Sequence, residues 1–413
     1  MRDIELYRHL LGIGSPWTVS QVTLDVKTQR VDVRVKHSRG VHWPCPECQT
    51  MLPVYDHAPE RCWRHLDSCQ FMTYLYACPP RVNCSEHGVK QVRLPWADPR
   101  ARFTALFERL VIDILRETDV AGASRIMRIS WDEAWHIMER AVERGLMNKE
   151  QRVVPHIGFD EKSVAKGHDY FTIVCNLDEG TVEWIGEDRK RETAEKYFIS
   201  LSPEQLAGIE AIAMDMWQPF YDAALIHVPN AEEKIVFDRF HIMQHMGKAV
   251  DAVRKQEHRA LLAEGDETLS KTKYMWLYSY ENLPDKYVDR FEELRTADLK
   301  TSRAWAIKET LRHLWDYKRL GWAERHWERW FFWATHSRLK PVIGAARTIQ
   351  RHLANVMTFF THRLTNAASE ALNSKIETIK KMARGYRNRN NFKTAIYFHC
   401  GDLDLYPASA ATI

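Results

Sequence analysis

Two short chelating pairs constrain the first quarter of the chain more than anything else in it: Cys45-Pro-Glu-Cys48 and Cys84-Ser-Glu-His87. In each pair, two residues separate the ligands, so both reach one ion at about 2.3 Å from each sulfur. Together they supply three thiolates and one imidazole, a tetrahedral set suited to zinc. Six of the eight cysteines (Cys45, Cys48, Cys62, Cys69, Cys78 and Cys84) fall between residues 45 and 84, leaving only Cys175 and Cys400. In a reducing compartment such a cluster reads as a metal site before it reads as disulfides. The expected site is closed and structural, holding one Zn²⁺ on Cys45, Cys48, Cys84 and His87. Cys62, Cys78, His57 and His65 stand as alternative ligands.

The module around these ligands reads as β-rich. Val19, Val22, Leu24 and Val26, then Val31, Val33 and Val35, recur with a period near two, which predicts a hairpin or meander. Pro44, Pro46, Pro53, Pro59, Pro79 and Pro80 limit helix, and residues 71–77 read as a further strand. A unit spanning 1–98 buries little apolar surface, and a metal staple offsets that deficit.

From Arg102 the apolar period becomes helical. Phe103, Leu106, Phe107, Leu110 and Ile114 predict one helix, and residues 119–127 a second. A third opens at Ser130-Trp-Asp-Glu133, a capping box, with Trp131, Ala134, Trp135, Met138 and Val142 on its apolar face. The tight turn at Arg128-Ile129 makes 99–150 a helix-turn-helix, a DNA-binding pattern. Asp132, Glu133, Glu139 and Glu143 on the third helix oppose close phosphate contact.

The next segment, 151–239, returns to strands. Residues 155–163, 170–177 and 181–187 are three of them, with a turn at Asp178-Glu179-Gly180. A helix at 192–201, a strand at 209–214, a helix at 218–226 and a strand at 234–237 follow. The order β-β-β-α-β-α-β predicts a mixed sheet with helical cover. Residues 240–360 are helical by pattern, and Trp305, Trp315, Trp322, Trp327, Trp330 and Trp333 recur there as core positions. The last segment, 361–413, opens on a helix at 366–383 and carries a basic stretch. The predicted fold class is a multidomain α+β chain.

Composition excludes little but orients the rest. With 413 residues, at roughly 100–200 per domain, the chain holds two to four domains. Lys and Arg exceed Asp and Glu by only 59 to 55, so local clusters decide partners. No apolar run approaches the ~20 residues of a membrane helix. The start, broken by Arg2, Asp3, Glu5 and Arg8, has no apolar signal core. Neither a membrane protein nor an exported one is expected.

Three carboxylates stand out. Asp160 lies in Ile157-Gly158-Phe159-Asp160-Glu161, on the face opposite Ile157 and Phe159. Asp215 follows the apolar strand Ala211-Ile212-Ala213-Met214. If these strands are neighbours, the two acids face each other, and two such charges need a cation; hard Mg²⁺ takes oxygen ligands. Glu370 shares a polar stripe with Asn366 and Asn373, apart from the apolar stripe Leu372, Ile376, Ile379 and Ala383.

The order Asp160, Asp215, Glu370 on this strand plan resembles the DDE transposases with a ribonuclease-H-like core. The fuller series resembles the ISL-three insertion-sequence family: Cys45-Pro-Glu-Cys48, Trp63-Arg64-His65-Leu66, Cys84-Ser-Glu-His87, Ile157-Gly158-Phe159-Asp160-Glu161, Ala213-Met214-Asp215-Met216, Asp238-Arg239-Phe240-His241, Asn366-Ala-Ala-Ser-Glu370-Ala-Leu-Asn373 and Gly385-Tyr386-Arg387. His87 stands where many members carry a fourth cysteine, an exchange zinc permits.

The resemblance implies a ribonuclease-H-like mixed-sheet catalytic core with a large all-helical insertion. The insertion would lie between Asp215 and Glu370, in the block 240–360. It implies a bacterial transposase, cytoplasmic and nucleoid-associated, that binds terminal inverted repeats and target DNA as a homodimer or higher oligomer, with no membrane partner. Strand cleavage and 3′-hydroxyl transfer would use two Mg²⁺ (or Mn²⁺) ions. Asp160 would bridge them, with Asp215 and Glu370 each holding one. Asp238 and His241 match an accessory signature of related transposases.

Residues 371–393 hold Lys375, Lys380, Lys381, Arg384, Arg387, Arg389 and Lys393 against Glu377 alone, a net charge of +6 (7 − 1) suited to phosphates. Two other functions fit parts of the pattern: a non-catalytic zinc-finger/helix-turn-helix regulator, and a ribonuclease-H-like nuclease that cuts without joining.

Overall fold

The structure is a computed structural model describing residues 3–165, 169–364 and 367–408. Its contacts divide the chain into two units, Met1–Glu150 with Lys380–Ile413, and Gln151–Ile379.

In the first unit, a short helix α1 (Asp3–Leu10) precedes β1 (Trp17–Asp25) and β2 (Arg30–His37). No residue of α1 is buried. Then come β3 (His42–Pro44), β4 (Met51–Pro53), β5 (Asp56–His57), β6 (Arg61–Ser68), β7 (Phe71–Ala77), β8 (Pro80–Cys84) and β9 (Gly88–Gln91). They form a four-stranded sheet β1-β2-β7-β6, a hairpin β3-β4 and a three-stranded sheet β5-β8-β9. The expected hairpin is present, and Val19, Val22 and Leu24 lie opposite Val35, Val33 and Val31 on one face. A bulge between Val19 and Gln21 shifts the register of β1, and Leu24 and Val26 are exposed. The core is built from Val19, Val31, Val33, Val35, Trp63 and Leu75.

Three helices follow: α2 (Ala105–Glu117), α3 (Val120–Met127) and α4 (Trp131–Met147). Thr104 caps α2 and Asp119 caps α3, while Arg128 ends α3 in the left-handed region with φ +55°. The capping box at Ser130 and Glu133 is fully formed. The expected face of α2 is corrected. The helix begins only after Thr104, and its buried side is Phe107, Glu108, Val111, Ile112 and Leu115, with Leu110 exposed. Glu108 sits inside because α4 sends Arg140 onto it at 2.6 Å and Arg144 at 3.5 Å. Burial pushes its carboxyl up, and Arg140 opposes that shift. On α4, Ala134, Trp135, Met138 and Val142 are buried as expected, but Trp131 is exposed and stacks on Trp135.

This unit is continuous across its two modules. Arg64 of β6 exchanges backbone hydrogen bonds with Arg102 and Thr104 at the start of α2. Arg128 forms an ion pair with Asp67 and donates to the Gln70 carbonyl at 3.1 Å.

The second unit holds β10 (His156–Ala165), β11 (Asp169–Asn176), β12 (Thr181–Gly186), α5 (Arg191–Ile199), α6 (Pro203–Ala207), β13 (Ala211–Met214), α7 (Gln218–His227), α8 (Ala231–Lys234) and β14 (Ile235–Phe237). The strand series matches the one read from the sequence; α6 and α8 are additions of one turn each. The sheet order is β12-β11-β10-β13-β14, antiparallel across the first three strands and parallel across the last three. Ile157, Phe159, Ile212, Met214, Ile235 and Phe237 pack into one core with Phe198 and Phe220 of the covering helices.

Helices α9 (Arg239–Ala263), α10 (Asp285–Thr296), α11 (Lys300–Arg312), α12 (Leu320–Thr335), α13 (Lys340–Arg351), α14 (Leu353–Met357) and α15 (Phe359–His362) extend this core. Trp305, Trp315, Trp327 and Trp330 are buried in it as expected, whereas Trp322 and Trp333 are exposed. The last helices are α16 (Ala367–Met382) and α17 (Arg389–Cys400). Leu372, Ile376 and Ile379 are buried; Ala383 lies past the helix end and is exposed. Asn366 lies outside the described residues. In the first unit, α17 packs on α4, and Tyr406 donates to Asp113 at 2.5 Å. No helix among the described residues is long and apolar enough to cross a membrane.

Candidate metal and active sites

The two chelating pairs fall on two tight connections. Cys45 and Cys48 occupy the link between β3 and β4; Cys84 ends β8, and His87 precedes β9. Gln49 takes φ +61° and Gly88 φ +67°, so the chain reverses sharply just after each second ligand. The ligand atoms of Cys45, Cys48, Cys84 and His87 all lie within 4.8 Å of one another. Cys48 Sγ is 3.7 Å from Cys84 Sγ, and Cys84 Sγ is 3.5 Å from His87 Nδ1. A tetrahedron with ~2.3 Å Zn–S bonds separates its sulfurs by ~3.8 Å, so the quartet has the donor chemistry and the spacing for zinc. A contact with Thr50 lowers the Cys48 thiol to about 6, toward the thiolate that zinc takes.

The alternative ligands stand apart. Cys62 and Cys78 are exposed. His57 stacks on His37. His65 is buried against Thr104 Oγ1 at 2.9 Å, and burial pushes its imidazole down to about 4.

In the second unit, β10 and β13 are parallel neighbours, paired His156 with Ala211 through Gly158 with Ala213. Asp160 and Asp215 each fall two positions past the last pair, Gly158 with Ala213, and so share its offset of 55 (213 − 158). Ile157 and Phe159 are buried in the core, so Gly158 and Asp160 face the other side. There α16 covers them. A Cβ on Gly158 would fall 2.7 Å from Ser369 Oγ and 2.8 Å from Cys175 Sγ, so only glycine admits the helix this close. Asn373 Nδ2 donates to Asp160 Oδ2 at 2.5 Å, and the Glu161 backbone N–H donates to Asp160 Oδ1 at 2.7 Å. Burial pushes the Asp160 carboxyl above its ordinary value, and the Glu161 N–H draws it back down.

His241 links two further acids. Its Nδ1 is 3.4 Å from Asp215 Oδ2 and its Nε2 is 3.7 Å from Asp238 Oδ2. Asp238 follows β14, is buried, and caps α9 by accepting from the Phe240 N–H at 2.9 Å. Glu370 is exposed on α16 and shares with Asp238 the lining of a cavity of about 720 Å³ that also meets Phe240, Met243 and Lys248. Among the described residues, the cysteine–histidine quartet is the one group whose ligand atoms all converge within 4.8 Å. Asp160, Asp215 and Glu370 are therefore brought to adjoining elements without closing to that distance.

Of the basic residues, Lys375, Lys381, Arg384 and Arg387 are exposed, while Lys380 and Arg389 are partly covered. Arg384 and Gly385 take positive φ in the turn between α16 and α17. Lys162 and Ser369 were not marked as site residues by the sequence. Lys162 falls two positions after Asp160 in a strand, the period that puts both on one face, and that is the signal that could have found it.

Family models match the chain in three places. One described as a transposase matches residues 157–396. One for the helix-turn-helix domain of transposase family ISL3 matches 92–142. One for the zinc-finger of transposases IS204, IS1001, IS1096 and IS1165 matches 42–87, taking in all four chelating residues. The chain is 26% identical over 352 residues to the transposase for insertion sequence element IS1001 of Bordetella parapertussis, covering 84% of this chain and 86% of that one. It is 26% identical over 421 residues to the transposase for insertion sequence element IS1557 of Mycobacterium tuberculosis (strain ATCC 25618 / H37Rv), covering 94% and 93%.

Proposed function

Since the chain belongs to the ISL3 family of insertion-sequence transposases, we propose that it cuts its element's ends and joins the freed 3′-hydroxyls to target DNA through Asp160, Asp215 and Glu370. The observation that carries this proposal is the adjacency of two parallel strands leading to Asp160 and Asp215, with the helix of Glu370 keyed to the first strand. The sheet order, and the helices between Asp215 and Glu370, support a ribonuclease-H-like core with a helical insertion.

Asp160 suits a bridging ligand. Each of its oxygens accepts one hydrogen bond, and a carboxylate offers about four lone-pair positions, so both keep capacity for a cation. Asp215 and Glu370 would each hold one ion of a pair. A pair spaced ~3.5–4 Å apart spreads its outer ligands further than a mononuclear site does, which accommodates the open arrangement of these acids. The ions, Mg²⁺ or Mn²⁺, would supply an activated oxygen nucleophile and neutralise charge at the phosphate. His241 contacts the Asp215 carboxylate and is itself paired with Asp238. The helix-turn-helix and zinc module would read the terminal repeats, and the basic run 375–393 would contact phosphates. Two element ends must be paired, so the working form is at least a dimer.

A strand-transfer assay tests this directly. Labelled terminal-repeat DNA, Mg²⁺ and a target plasmid should yield joined products. Repeat binding with neither cleavage nor joining would mark a regulator instead, and cleavage without joining a nuclease.

A further inference from the structure

We propose that Asn373 is a positioning residue that sets the aim of Asp160 and the height of Glu370, a proposal resting on Asp160 being a metal ligand. Three steps of β10 meet three steps of α16. Gly158 lies under Ser369, Asp160 accepts from Asn373, and Lys162 donates to the Asn373 carbonyl at 3.2 Å and pairs with Glu377 Oε2 at 3.0 Å. Two strand residues advance ~6.6–6.8 Å and four helix residues advance ~6.0 Å. Residues 158, 160 and 162 therefore stay level with 369, 373 and 377.

Asn373 is the rung that touches chemistry. An ionised carboxylate only accepts, so Nδ2 of the amide must face Asp160 Oδ2. With the Glu161 N–H on Oδ1, the carboxylate is fixed at both oxygens. The same rung fixes α16, and Glu370 is one residue beyond Ser369, about 100° around the helix on its exposed side. Loss of the Asn373 amide would free the Asp160 carboxylate to rotate and would loosen the helix that carries the third acid. Supporting hydrogen bonds of this kind change metal affinity by ~10–100-fold.

The test uses the full chain with Asn373→Leu, which keeps the branched heavy-atom skeleton and removes the polar atoms, and Asn373→Ala. Mn²⁺ binding is read by electron paramagnetic resonance without DNA, and cleavage is followed against Mg²⁺ concentration. The expected result is a rise of ~10-fold or more in the Mn²⁺ dissociation constant and in the half-saturating Mg²⁺, with the loss of rate at low Mg²⁺ relieved as Mg²⁺ is raised. Wild-type metal dependence in both variants would overturn the proposal, as would a fall in maximal rate at unchanged half-saturation. If one variant fails to fold, the other carries the measurement. Asp160→Asn separates the two levels. If that variant binds Mn²⁺ as the wild type does, Asp160 is not a ligand and the underlying site assignment fails, whatever Asn373 does.

Discussion

Asp160→Asn is expected to reduce terminal-repeat cleavage by ~10³-fold or more, while binding to the same repeat DNA stays within ~2-fold of wild type. The substitution keeps shape and removes charge. A metal-held oxygen contributes several kcal/mol of charge stabilisation at the reacting phosphate, and each ~1.4 kcal/mol is tenfold in rate. DNA recognition is assigned to the first unit, which contains no part of β10. The same variant should melt close to the wild-type temperature at neutral pH in the absence of divalent ions, because relief of the charge penalty is offset by one lost acceptor: the carboxylate accepts at both oxygens and an amide at one. Burial raises the Asp160 carboxyl, so its ionised form is disfavoured in the folded chain at any pH above that raised value, and an amide removes the penalty. Parallel gel-shift, cleavage and thermal measurements check the combination. Loss of activity together with a collapse in melting temperature would make Asp160 a structural residue.

Cys84→Ser is expected to strip the zinc and unfold the module around it. Cys84 is buried between Cys48 and His87, and a serine hydroxyl is a poor substitute for a thiolate. Structural zinc contributes ~10–16 kcal/mol to the folding of isolated finger peptides, against a whole-domain stability of ~5–15 kcal/mol. Metal analysis should fall from one zinc per chain to none, and the buried Trp43 and Trp96 should become accessible to quenchers. Damage should pass to the helix-turn-helix, because Arg64, Asp67 and Gln70 of the zinc module hold Arg102, Thr104 and Arg128. Repeat binding is therefore lost as well. Cys62→Ser, at an exposed cysteine, should leave zinc content and binding unchanged. A Cys84→Ser protein that keeps its zinc would remove the site.

The strands of the second unit were legible because their apolar runs are short, bounded and continuous, and the cysteine–histidine quartet was legible because its spacing is itself a geometric statement. The faces of individual elements were less so. Leu110 and Leu24 look like core in sequence, yet both are exposed, Leu24 even though it lies opposite the buried Val31. The bulge that brings Val22 and Leu24 onto the face of Val19 is a single-residue event, invisible to periodicity. Glu108 was hidden for a different reason: burial of a carboxylate depends on Arg140 and Arg144, 32 and 36 residues away. The candidate acids could be named one by one, and the neighbourhood of β10 and β13 could be posed only as a condition. Ser369 against Gly158, and Asn373 against Asp160, are long-range pairings that a helical stripe and a strand alternation each describe by half.

The account stands on three acids sharing a pair of divalent ions. The most direct measurement is an anomalous-scattering map from crystals of the chain bound to terminal-repeat DNA and soaked in Mn²⁺. Two peaks about 3.5–4 Å apart, enclosed by the carboxylates of Asp160, Asp215 and Glu370, are the predicted result. Peaks elsewhere, or ordered DNA at this site with no ion between those side chains, would contradict it.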